Sequence, residues 1–390
     1  MERERITMKK IYLDYNATTP VLPEIFEAIK PYLTSKWGNP SSSHWAGEGL
    51  KEDIEKSRIK IAKSLNCQPE EIFFTSCGTE SNNWVLKSVC GFNLKNKHII
   101  TTKVEHKAVL ETLKYLEKNG LEVTYLKVDK NGLINLNELE DSIKKNTILI
   151  SIIFANNETG VISPIKEIGE IAKKYKVLFH TDAVQAYGKI KIDLQKLKID
   201  FLSISGHKVY APKGIGALYI RKGIKLDPLL HGGGQEKGLR SGTENMIGII
   251  ALGKSAEIII NDFSSGYFEK LKKLKDKLEN ELKKIDNIII AGENVPRVPN
   301  TINISFKNIE AQALRKALNY EGIAVSSGSA CSTDKEAISH VLEAMGYDKI
   351  TGLAAIRISL GKFTTEEDIQ YTAEKIKYWV ERLRSFLPNG

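Results

Sequence analysis

The chain has 390 residues, 42% hydrophobic and 27% charged, and its 57 Lys and Arg against 48 Asp and Glu give a formal net charge of +9. That length supports more than one small domain and a sizeable core, and no apolar run approaches the roughly 20 residues of a membrane helix. The positive excess is mostly lysine spread along the chain, with no block rich in Arg and aromatics, so direct nucleic-acid reading is not expected. Solubility and an acidic protein partner are both fair uses for the charge.

The opening "MERERITMKK" is charged with no apolar core behind it, so it does not read as a signal peptide. The cytoplasm is the expected compartment, and Met8 is an alternative start. From about residue 50 to 260, short β-branched runs alternate with helical patterns. The strand expectations are "EIFFTS", "KHIITTK", "LEVTYLKVD", "TILISIIFAN", "KVLFHTD", "DFLSISGHK" and "GALYIRK", several of them nearly continuous apolar runs. Such runs suit strands covered on both faces of a parallel sheet. Helices such as "GLKEDIEKSRIKIAKSL" and "PIKEIGEIAKKYK" separate them, the alternation of an α/β fold. "NDFSSGY" (261–267) breaks the pattern before the lysine-rich "YFEKLKKLKDKLENELKKI", whose apolar spacing predicts an amphipathic helix with a solvated charged face. "NIIIAG", "NTINISF", "GIAVSS" and "AIRISLG" then mix with helices, a smaller α+β unit. The last helix is expected to open at Thr365, followed by acids in its first turn.

Chemistry-bearing residues gather at predicted strand ends. In "SISGHKVYAPKGIGALY", Lys208 follows a strand and a glycine, where a partly desolvated amine can form a Schiff base. Asp182 ends the strand "KVLFHTD" and serves equally well as the N-cap of a helix after the strand or as a partner for a ring nitrogen. Gln185 lies three residues on. In "FTSCGTESNN", the N–H groups of Gly78 and Thr79 with the Thr79 hydroxyl suit a phosphate at a helix start, or plain capping. The turn lacks the Walker pattern, so a nucleoside triphosphate is not expected. His106 in "TKVEHKAV" and Asn157 in "ANNETG" follow two further strands; alone, each reads as structural. Together the five signals are what a pyridoxal phosphate site requires.

Cys67, Cys77, Cys90 and Cys331 show neither CxxC nor metal-ligand spacing, so neither a disulfide nor a metal site is expected. Cys331 is set apart by its surroundings, "AVSSGSACSTDKEA", small polar residues with nothing to pack a thiol.

From "IYLDYNATTPV" to "IRISLGKFTTEEDI" the chain resembles the cysteine desulfurases of the nitrogen-fixation and iron–sulfur-cluster type, in the class V aminotransferase family. "GNPSSSH", "FTSCGTESNN", "EHKAV", "ANNETG", "HTDAVQ", "SGHK", "GGGQEKGLRSGT" and "SSGSACST" carry the resemblance, which spans essentially the whole chain. It implies a fold-type I pyridoxal 5′-phosphate enzyme with the aspartate-aminotransferase-like fold. The mainly parallel central sheet would have helices on both faces, in a large cofactor-binding domain over 15–262. Residues 1–14 and 263–390 would form the small α+β domain bearing the cysteine loop.

By the same resemblance Lys208 would hold the cofactor covalently, Asp182 would pair with its ring nitrogen and His106 would stack on the ring. Asn157 and Gln185 would hold the substrate side and the ring hydroxyl. Gly78, Thr79, Ser205 and His207 would bind the phosphate, joined by Thr243 of a second subunit in a homodimer, and Arg357 would take the substrate carboxylate. Cys331 would receive sulfur from L-cysteine as a persulfide, leaving L-alanine, and pass it to an iron–sulfur scaffold or sulfur carrier, or towards tRNA thiolation. The extended cysteine run matches the subgroup that delivers sulfur to a separate scaffold. Cys77 departs from the pattern, standing where a glycine is more usual, and is expected to be packed and inert. Three rivals are a transaminase of the same fold, a selenocysteine lyase and a cofactor-free sulfur-relay protein.

Overall fold

The computed structural model describes residues 9–327 and 338–386. Cys331, with most of its serine-rich run, lies outside the described residues. The first half of the chain supplies β1 (Ile11–Tyr12), α1 (Pro23–Thr34), α2 (Leu50–Leu65), β2 (Ile72–Thr75), α3 (Gly78–Cys90), β3 (His98–Thr102), α4 (Lys107–Lys118) and β4 (Glu122–Leu126). There follow α5 (Leu136–Asp141), β5 (Thr147–Ser151), α6 (Ile165–Tyr175), β6 (Leu178–Asp182), β7 (Phe201–Ser205), β8 (Gly216–Ile220), α7 (Met246–Ser264) and α8 (Tyr267–Leu282). The remainder forms β9 (Ile288–Ile290), β10 (Thr301–Phe306), α9 (Ala311–Tyr320), β11 (Ile323–Ala324), β12 (Ser326–Ser327), α10 (His340–Ala344), α11 (Lys349–Leu353), β13 (Ala355–Ser359) and α12 (Glu366–Ser385).

Seven strands make the central sheet in the order β2-β8-β7-β6-β5-β3-β4. Only β8 opposes its neighbours; the other strands run one way, so their carboxyl ends share one edge. Side chains alternate across the sheet with period two. Ile100 and Ile150 therefore join one core with α2, α6 and α7, while Ile99 and Leu149 join another with α3 and α4. Burial on both faces explains the continuous apolar runs, and β4 at the margin keeps an exposed Glu122. Helix α7 reaches α2 through Gly253, where a Cβ would stand 2.6 Å from the Ser57 Cβ.

The second sheet, β12-β13-β10-β9, is antiparallel throughout. Its core joins Ile302, Ile304, Ile356 and Ile358 to buried faces of α8, α9 and α12. Helix α8 buries Phe268, Leu271, Leu278 and Leu282 at helical spacing and turns most of its lysines outward, as its pattern predicts. Thr365 and Asp368 form a reciprocal capping box at the start of α12. The expected break at 261–267 is shorter than its composition suggests. Helix α7 continues to Ser264 because Asp262 pairs with Lys362 and Phe263 packs on Phe268, and only a turn with Gly266 at φ +74° separates it from α8. "GIAVSS" divides between two sheets, since β11 pairs with β1 while β12 pairs with β13. Among the described residues no helix is long and apolar enough to cross a membrane.

The N-terminal segment binds the two sheets at the shared edge. Leu13 bonds with Ala324 and Ser359 of the second sheet's region, and Thr19 N donates to the His207 carbonyl just past β7. Residues 14–18 are thereby held across the carboxyl ends of the central strands.

Candidate active site

Asp182 is the last residue of β6 and is 4% exposed. Its Oδ1 accepts from Val184 N at 3.0 Å and its Oδ2 from Asn82 Nδ2 at 2.6 Å. No helix follows β6, so Asp182 caps a turn rather than the helix expected there, and α3 holds the other oxygen in place. The adjacent β7 ends at Ser205, and the single helical turn Gly206–Lys208 carries the lysine back over the edge. Lys208 Nζ donates to the carbonyls of Asn16 at 2.8 Å and Ala17 at 2.7 Å. His106 caps α4, its Nδ1 accepting from Ala108 N at 3.1 Å. Burial holds its pKa below the ordinary value; the Asp182 carboxylate pulls it up, while Lys208 and Lys107 push it further down. The imidazole is therefore neutral at neutral pH, with the proton on Nε2. Lys208, Asp182 and His106 share one electrostatic environment.

Beside them α3 begins at Gly78, with Cys77 as its extended N-cap. The first-turn N–H groups have no earlier helical carbonyl to serve, which makes a helix start an anion site when a second feature supports it. Ser205 is that feature: its Oγ is buried without a hydrogen-bond partner among the described residues. Gly78 is required there, since a Cβ would meet Val184 Cγ2 at 2.5 Å and Ser205 Cβ at 3.6 Å. His207 Nδ1 lies 3.2 Å from Thr18 Oγ1. Burial, aided by Lys208 and Lys213, pushes its pKa down to about 4, leaving a neutral donor. Thr79 is exposed in the first turn of α3. Thr243 is exposed on the segment before α7, and the single chain does not bring it into the buried cluster.

On the other side, Gln185 is 4% exposed and donates from Nε2 to the Asn16 carbonyl at 2.9 Å. The Asn157 carbonyl accepts from Asn16 Nδ2 at 3.2 Å and from Arg357 Nη1 at 3.0 Å. Arg357, on β13 of the second sheet, also meets Asp14 Oδ1 at 2.8 Å, and its Nε is buried without a partner among the described residues. The fork expected to take a carboxylate is thus at the edge, with one arm already on Asp14.

Sequence reasoning missed Asp14, Asn16, Asn82, Glu105, Glu158 and Lys189. Asn16 bonds to Thr301, 285 positions away, so no local pattern marks it. Glu105 and Glu158 adjoin His106 and Asn157, the one available signal. Burial pushes their carboxyls up to about 8 and about 7, respectively. Cys67 and Cys90 are raised to about 12 and about 11 by burial, so both are protonated at neutral pH. Cys77 is half-buried at the α3 start, within 3.7 Å of Ser76 Oγ. Among the described residues no cluster could hold a metal ion. The donor set does fit pyridoxal phosphate: a buried carboxylate, a lysine, a neutral imidazole, and a partnerless hydroxyl beside a helix start.

Residues 11–372 match the class-V aminotransferase family model. A cysteine desulfurase IscS of Dictyoglomus turgidum is 48% identical over 382 residues, covering 97% of each chain. That of Methanosarcina thermophila is 48% identical over 97% of this chain and 94% of its own. Among solved structures, a NifS-like protein superposes with a TM-score of 0.89 at 43% identity, covering 96% of this chain and 100% of that one. A NifS-like protein from Rickettsia africae gives 0.86 at 37%, with 96% and 100% covered.

Proposed function

The chain belongs to the class-V aminotransferase family, and we infer that its strand-end site is that of a pyridoxal 5′-phosphate-dependent cysteine desulfurase. The observation that carries this reading is the meeting of Lys208, Asp182 and His106 at one sheet edge, beside the Gly78–Ser205 phosphate cradle. When bound, the cofactor supplies an electron sink for the substrate carbon. Lys208 would hold it covalently, and its amine would move the substrate Cα proton. Asp182, fixed by Val184 and Asn82, keeps a proton on the ring nitrogen. His106 covers the ring face, and Gln185 donates to the ring hydroxyl. Gly78, Thr79, Ser205 and His207 bind the phosphate. Arg357 turns its fork to the substrate carboxylate, with Asn157 beside it.

Cys331 then takes the sulfur. Its thiolate forms an S–S bond to the substrate sulfur while the C–S bond breaks; the electron pair stays with carbon, which is protonated to give L-alanine. The Cys331 persulfide passes to a scaffold for iron–sulfur cluster assembly or to a carrier for tRNA thiolation, in the cytoplasm. Two copies of the chain share their sites, Thr243 of each reaching the other's phosphate. The exposed Trp37 and Trp45, in edge-to-face contact at 6.3 Å, are apolar surface consistent with a second copy.

The test is an absorbance spectrum of the purified protein, followed by alanine and sulfide assays with L-cysteine. A yellow protein that makes both products is expected. A colourless one favours the cofactor-free relay, and turnover with keto acids without sulfide favours a transaminase.

A further inference from the structure

Lys189 closes the turn that follows β6, and it is 8% exposed. Its amine stands 2.8 Å from Asn16 Oδ1 and 2.5 Å from Gln185 Oε1. Among the described residues no carboxylate is within ion-pair distance of it, and the charges that act on it most are those of Lys208 and Arg357, both cationic. Burial and those two neighbours hold its pKa well below the ordinary lysine range. A lysine buried without a counter-ion costs stability, so its retention calls for a use outside the core.

The hydrogen bonds supply one. Gln185 Nε2 donates to the Asn16 carbonyl, the same oxygen that accepts from Lys208 Nζ. Reversing the Gln185 amide would set Oε1 against that carbonyl oxygen, a repulsive contact, and would aim its NH2 at the Lys189 amine. Lys189 therefore selects one amide orientation, in which the second Nε2 hydrogen is free to serve the cofactor side. It also holds the Asn16 side chain, and with it the backbone on which the Lys208 amine rests.

We propose that Lys189 is a positioning residue that fixes the Gln185 amide and the Asn16 carbonyl, and through them the cofactor-facing hydrogen and the lysine amine. The inference rests on the pyridoxal phosphate reading above.

The test compares Lys189→Met, Gln185→Met and the double variant with the parent protein. Pyridoxal phosphate is titrated into each apo-protein, and the visible spectrum and thermal midpoint are recorded. Lys189→Met is expected to bind the cofactor about tenfold more weakly, the worth of one well-placed hydrogen bond, with a shifted absorbance maximum. The thermal midpoint of its apo form should be unchanged or higher, since the buried amine is gone. The double variant should lose less than the product of the two single losses, because the route through Gln185 is common to both. Parental affinity and spectrum in Lys189→Met, or losses that multiply in the double variant, would overturn the proposal. If Lys189→Met does not fold, Lys189→Gln, polar but too short to reach both oxygens, is read by the same criteria. A parent protein that fails to bind the cofactor instead sinks the functional reading itself.

Discussion

At the scale of single residues, the Lys208 amine donates to two backbone carbonyls, those of Asn16 at 2.8 Å and Ala17 at 2.7 Å. Lys208→Ala should abolish alanine formation and shift the absorbance of bound cofactor, because the amine that would hold the cofactor and move the Cα proton is gone; retained turnover would refute the assignment. Cys331→Ser should keep the colour and lose the persulfide, a hydroxyl being far less nucleophilic than a thiolate at neutral pH. Mass spectrometry after a cysteine pulse decides it, and a persulfide on Cys77 would point elsewhere. Glu105 gives a pH prediction. Its Oε1 accepts from Thr102 and Ile153 N, and burial lifts its pKa from 4.5 to about 8. The folded state thus keeps a proton that the unfolded state releases across that window. The stability it contributes is full below pH 4.5 and falls, by at most about 1.4 kcal/mol per unit, as pH rises to 8. Glu105→Gln mimics the protonated acid, so its stability relative to the parent should grow from pH 5 to pH 8 in urea unfolding. A pH-independent difference would mean that the carboxyl is ionised throughout.

At the scale of elements, the site depends on how α3 meets β7. The helix starts at Gly78, directly against Ser205 and the Val184 turn. Gly78→Ala puts a methyl 2.5 Å from Val184 Cγ2, so helix or turn must move outward. We expect about tenfold weaker cofactor binding, from misplacement of one or two phosphate donors, with the fold retained. Equal affinity in the alanine variant would show that these N–H groups do not hold the phosphate. The Asp182 oxygen bound by Asn82 makes the same helix responsible for the ring end of the site. On the proposed reading, one element would supply phosphate donors and also hold the Asp182 carboxylate that faces the ring.

At the scale of the whole molecule, the two sheets meet at the site through the N-terminal segment. Asp14 pairs with Arg357 of the second sheet, while Asn16 bonds to Gln185 and Lys189 of the first. The segment bearing Thr243 is anchored upstream by a bidentate pair, Arg58 with Glu236 at 2.8 and 2.9 Å, both side chains 6% exposed. Thr243 itself stays exposed, as expected if it serves a second copy. Sedimentation should show a homodimer at micromolar concentration, and Thr243→Ala should lower cofactor affinity while leaving the dimer intact. A monomer with full cofactor occupancy would contradict the shared site.

What was legible in the sequence was local. Alternating apolar runs marked the seven strands of the central sheet, because strands buried on both faces must be apolar at nearly every position. Strand-end position exposed Lys208, Asp182 and His106, and small polar neighbours singled out Cys331. Tertiary structure decided what depends on distant chain segments. The bonds of Asn16 to Gln185 and Lys189, the Asp14 hold on Arg357 and the pairing of the first part of "GIAVSS" with β1 all join residues well over a hundred positions apart. A buried polar group is tolerated only where hydrogen-bond partners converge on it, and that convergence is set by how the two sheets pack.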